Sequence, residues 1–134
     1  MKYSSRKISD ILNKVKLICH ENITQEICGL VGFSDGKYIV QKAKNVAKDT
    51  QRFFNLDPVQ YLNFKNEHEL LFCFHSHIAG NEDFSEFDIK MSENACLPFL
   101  VYSINTKKFN IYCPKYCDSD VNKIQRFKEK IWQK

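Results

Sequence analysis

No apolar stretch in this chain approaches the roughly 20 residues that a membrane span needs. Residues Met1 to Arg6 are polar and run straight into an amphipathic pattern. No signal-peptide core is present there, so the chain is expected to stay in the cytoplasm of the producing or host cell, or on a virion, without secretion. Glycine and proline are scarce, at four and three, and nowhere do they gather with serine into a linker. Internal repeats and low-complexity tracts are also missing, so residues 1–134 are expected to form one domain. Charge of one sign is lacking too. A net charge of +4 allows a weak pull on anions but does not argue for a nucleic-acid partner. Six cysteines, at 19, 28, 73, 96, 113 and 117, lie mostly in apolar stretches and read as small buried hydrophobes rather than a disulfide framework. Cys113 and Cys117 have a metal-like spacing but no second pair to complete a site.

What is present is a core. Apolar residues make up 43% and aromatics 13%, which excludes global disorder. Ile8, Ile11, Leu12, Val15, Ile18 and Cys19 recur at helical spacing, with Ser4, Ser5 or Ser9 as the expected cap. The apolar run from Glu26 to Phe33 and the one beginning at Tyr38 flank Asp35-Gly36, which predicts a β-hairpin. Asp57-Pro58 predicts a short helix to about Phe64. Leu70 to Phe74 is nearly all apolar, as in a central strand buried on both faces, and it ends in His75-Ser76-His77. A polar loop follows, then a helix from Ser85 to about Ala95, strands over 98–104 and 108–113, and a closing helical stripe of Val121, Ile124, Phe127 and Ile131. The expectation is an α/β domain, a sheet of five or six strands flanked by helices.

His75 and His77 stand at i and i+2 of an extended segment, so both imidazoles point to one face. Asp88 falls in the first turn of the next helix, after a loop of about ten residues that can fold back over the strand end. Two imidazoles and a carboxylate suit Zn²⁺ with a fourth position left for water. Spacing alone leaves another reading open: Ser85 with Asp88 three residues later also fits a helix capping box. His20 and His68 sit in polar surroundings and are expected at the surface. Ser76 should point to the opposite face of the strand.

The order His-Ser-His, seven residues, Ser, two residues, Asp resembles the JAMM motif of the MPN/JAB zinc metallopeptidases. That motif also has an upstream glutamate before a small-residue strand, and Gln25-Glu26-Ile27-Cys28-Gly29-Leu30-Val31-Gly32 looks like it. The resemblance runs from the first helix to Cys113. It implies an MPN-like, cytidine-deaminase-like fold with a mixed sheet, zinc on His75, His77 and Asp88, Glu26 as general base and acid, and Ser85 as a donor to the oxyanion. The activity implied is hydrolysis of a peptide or isopeptide bond in a peptide or protein substrate. The strand from Glu26 or the loop after His77 is expected to offer an edge to an extended substrate. The family usually has proline after the second histidine, and Ile78 here puts loop rigidity in question. Leu97-Pro98-Phe99, Asn45, Phe54 and Asp57-Pro58 resemble the phage tail-assembly and bacterial subset, which implies tail or assembly proteins as partners. The competing expectation is an assembly module that keeps the fold without turnover.

Overall fold

The computed structural model describes residues 2–133. The chain opens with strand β1 (Lys2–Ser5), which the sequence pattern does not announce because every residue in it is polar or exposed. Helix α1 (Ile8–Cys19) follows, burying Ile11, Leu12, Val15, Ile18 and Cys19 on one stripe. Its cap is Lys7, with no side-chain bond, and not a serine. Ser5 serves indirectly: its hydroxyl accepts from the Lys7 N–H and donates to Asp10.

Strands β2 (Cys28–Ser34) and β3 (Lys37–Ala43) form the hairpin. Asp35 and Gly36 both have positive φ, 53° and 76°, the geometry that an Asp-Gly turn supplies between twisted strands. Strand β2 starts at Cys28, so Glu26 and Ile27 lie just outside it. Helix α2 (Pro58–Glu67) is capped by Asp57 and runs one turn past the expected end at Phe64, its one buried residue, because that last turn carries no apolar signal. Then come β4 (Glu69–His77), α3 (Glu86–Ala95), β5 (Phe99–Ser103), β6 (Phe109–Tyr112) and α4 (Val121–Ile131).

The six strands form one sheet in the order β1-β3-β2-β4-β5-β6. All pairs are antiparallel except β4 with β5, which are parallel and joined through α3. The helices divide the apolar core between the two faces. Val15, Tyr38, Phe72 and Phe127 anchor the side covered by α1 and α4. Phe54, Phe64, Cys73 and Phe99 anchor the other. Along β4 a bulge sets the alternation: Phe72 faces Val31 and Leu70 faces Gly32, so Leu71 is an extra residue. Leu71 and Phe72 therefore join the same cluster, and Cys73 and His75 turn to the other face.

No helix among the described residues is long and apolar enough to cross a membrane. His20 is exposed, with its ring 3.0 Å from the Tyr102 hydroxyl. His68, expected at the surface, is instead mostly covered. It packs on Phe64, and its buried Nδ1 has no partner among the described residues. Burial and the nearby Lys2 lower its pKa. All six cysteines are free.

Candidate metal centre

Strand β4 lies between β2 and β5, so its carboxyl end is enclosed by neighbours. His75 is wholly buried there. Phe54 stacks on its ring at 4.2 Å and Phe99 meets it edge-on. His77, two residues on, is half-buried and donates through Nδ1–H to the Asn81 carbonyl at 2.9 Å. Since a carbonyl can only accept, Nδ1 carries the proton and Nε2 of neutral His77 is a bare lone pair.

That lone pair points at two other groups. His77 Nε2 lies 3.2 Å from His75 Nε2 and 3.1 Å from Asp88 Oδ2, and His75 Nε2 is 3.3 Å from the same oxygen. A tetrahedron with arms of about 2.0–2.1 Å, the usual zinc–ligand lengths, has edges of about 3.3–3.4 Å. The triangle is thus close to one face of such a tetrahedron. Electrostatics agrees. Burial pushes Asp88 up, but the hydrogen bonds and charges of His75 and His77 outweigh it and hold its carboxyl far below the usual range. Burial lowers His75. For His77 burial also lowers the pKa, but Asp88 and the Asn81 carbonyl prevail and raise it. A carboxylate oxygen and two imidazole nitrogens converge, a donor set that fits a divalent cation. These three residues are the one His/Cys/Asp/Glu group of metal-binding geometry among the described residues. Cys73 is buried in the adjoining apolar cluster, and Cys113 and Cys117 form no such group.

Asp88 is placed by the helix that carries it. Ser85 caps α3: its hydroxyl accepts from the Asp88 N–H at 3.0 Å, and Asp88 Oδ2 accepts from the Ser85 N–H at 3.2 Å. The capping box and the approach of Asp88 Oδ2 to both imidazoles thus occur together. The Ser85 hydroxyl hydrogen is not spent in the cap and can donate to another oxygen.

Glu26 reaches the site through sheet register. Cys28 pairs with His75, so the residues ahead of β2 run beside the end of β4. The Ile27 N–H donates to Ser76 Oγ at 2.8 Å, and the Ser76 N–H donates to the Ile27 carbonyl at 2.9 Å. Glu26 itself is fixed at both backbone groups: its N–H donates to the Thr50 carbonyl, and its carbonyl accepts from Asn45 Nδ2. It is 8% exposed. Burial raises its pKa to about 8, with His77 opposing and Asp88 and Asp49 adding.

Glu26, Arg52, His77, Asn81, Ser85 and Asp88 line one cavity of about 370 Å³. All five expected residues therefore meet, His75 from beneath the cavity floor. Three contributors escaped the sequence reading. Ser76 does point away from the imidazoles, yet it ties Glu26's segment to β4. Asn45 bridges Glu26 to the 53–55 turn, and Arg52 enters the cavity rim. Only sheet register and loop path, neither encoded locally, reveal them. The loop after Ile78 also gains rigidity without proline. The Gly80 carbonyl accepts from Ser103 and Asn105, and Glu82 is held by Thr106 and Asn110. One expectation fails: β2 is paired on both sides, so the strand after Glu26 offers no free edge.

The family described as prokaryotic homologs of the JAB domain matches residues 11–113, a span that holds all five positions. No curated protein matches the chain. Among solved structures, the solution structure of a protein from Desulfitobacterium hafniense is similar, with a TM-score of 0.58 and 22% identity over 75% of each chain. At that identity the likeness is one of fold.

Proposed function

Because the chain belongs to the family of prokaryotic homologs of the JAB domain, we propose that it is a zinc-dependent hydrolase of peptide or isopeptide bonds. The observation that carries this reading is the convergence of His75 Nε2, His77 Nε2 and Asp88 Oδ2 within 3.3 Å of one another, a donor set suited to a divalent cation. His75, His77 and Asp88 would hold Zn²⁺ and leave a position open toward the cavity. A zinc ion held there would supply a water ligand of pKa about 7 and would polarise a carbonyl.

The chain's own groups supply the rest. Glu26 is a buried carboxyl of intermediate basicity, suited to take a proton from water and return it to the leaving amine. Ser85 directs its free hydroxyl hydrogen at the carbonyl oxygen as negative charge grows there. Asn81 fixes the His77 tautomer, so that ring presents a lone pair rather than a proton. With β2 enclosed, the loop of residues 78–84 is an element beside the site that an extended substrate could follow, across the cavity lining from Gln51 and Arg52. The resemblance of Leu97-Pro98-Phe99 to phage tail-assembly relatives supports a tail-associated peptidase whose partners are peptides or assembly proteins.

Protein purified without added metal should carry about one zinc per chain by elemental analysis. His75→Ala and His77→Ala should each empty the site. Glu26→Gln should keep zinc yet cleave nothing in a peptide-library digest that the native protein cuts in a chelator-sensitive way. Full zinc loading with no cut in any peptide or ubiquitin-like substrate would replace this reading with an assembly module.

A further inference from the structure

We infer that Arg52 is a specificity-determining residue that selects substrates bearing a carboxylate on the leaving-amine side of the bond to be cut; the inference rests on the hydrolase reading above. Arg52 is the one lysine or arginine lining the site cavity, whose other charged members are Glu26, Asp83 and Asp88. It is exposed and forms no ion pair among the described residues. A guanidinium that shares a cavity with three carboxyl groups and pairs with none of them is open to a planar anion from outside.

Its backbone is not free to wander. The turn that carries it is closed by the Asp49 carbonyl, which accepts from the Arg52 and Phe53 N–H groups, and by the Asp49 side chain, which accepts from Gln51. Thr50 accepts from the Glu26 N–H at 2.7 Å, and Asn45 Nδ2 donates to both the Glu26 and Phe53 carbonyls. On the other flank, the Phe53 ring meets Phe87 edge-on at 5.0 Å, next to Asp88 on α3. Arg52 is therefore held in register with Glu26. Glu26 delivers the proton to the leaving nitrogen, so the leaving portion must lie on its side of the metal. A carboxylate a short distance along that portion, as in a chain terminus or an acidic residue, meets Arg52.

The test uses zinc-loaded Glu26→Gln protein, which binds without turnover, and N-acetylated tri- to penta-alanine peptides, each as free acid and as amide. Calorimetry or NMR titration gives the affinities. At least one free acid should bind about tenfold tighter than its amide, the factor one charge-assisted hydrogen bond supplies. Adding Arg52→Gln should remove that preference and Arg52→Lys should restore part of it, with zinc occupancy unchanged in both. Equal binding of acids and amides would overturn the inference. So would a preference that survives Arg52→Gln, since the metal itself would then hold the carboxylate. Turnover by native protein without acid preference sinks this inference alone. Acid preference lost in Arg52→Gln, but no turnover by native protein, sinks the hydrolase reading and leaves an anion-binding site.

Discussion

Glu26 shows how much one buried carboxyl can weigh. Unfolded, it titrates near 4.5; folded, burial raises it to about 8. Below pH 4.5 it is protonated in both states and costs nothing in charge. Between 4.5 and 8 the unfolded chain ionises while the folded chain keeps its proton, so stability falls as pH rises. Above 8 the loss is complete. In metal-free protein, the stability of Glu26→Gln relative to native should therefore grow from pH 4.5 to 8.5, by up to a few kcal/mol in urea unfolding, while His68 and His75, both lowered, contribute an opposite trend to each protein. His77, whose pKa is also raised, contributes a fall of the same sign that the variant retains. Identical slopes in the two proteins would show that Glu26 is not desolvated. At this scale the sequence was legible where chemistry sits in residue type and short spacing, as with His75, His77 and Asp88. It gave the direction of Ser76 but not its bond to Ile27, 49 residues away, and it was silent on Arg52, which a loop path brings to the cavity.

Among the elements, β4 carries the most information. Its histidines face the α3 side only because Leu71 is an extra residue in the bulge against Val31 and Gly32. A plain alternating strand in phase with Leu70 would turn both rings into the opposite core. No sequence pattern marks that bulge, since Leu70 to Phe74 is apolar throughout. Strand β2 answers with glycine. A Cβ on Gly29 would run into the Phe74 ring and the Gln41 carbonyl oxygen. Backbone cannot yield as a side-chain tip can, so Gly29→Ala should destabilise by about 3 kcal/mol or more, read from urea unfolding. A loss under about 1 kcal/mol would mean that the hairpin shifts freely. The hairpin turn, α3 and α4 were legible because Asp-Gly, the Ser85–Asp88 box and the 121–131 stripe are local signals. Strand β1 was not, because edge pairing with β3 alone makes it a strand.

For the whole molecule, the centre is assembled from three distant segments: the approach to β2, the end of β4 and the start of α3. Zinc should therefore stabilise the folded chain by mass action, with the gain growing as free metal rises. Asp88 joins that assembly to the architecture, because the Oδ2 that faces both imidazoles also accepts from the Ser85 N–H. Asp88→Asn keeps an acceptor for the cap while discarding the anion; Asp88→Ala discards both. Metal-free Asp88→Ala should thus melt below metal-free Asp88→Asn by about 1 kcal/mol, and neither should load zinc fully. Equal stability of the two would separate the cap from the ligand. A relative of this chain that binds no metal would still be under pressure to keep an oxygen-bearing side chain at position 88. The paired histidines, which hold no helix together, would be the first to drift, and they are the better mark of a working site.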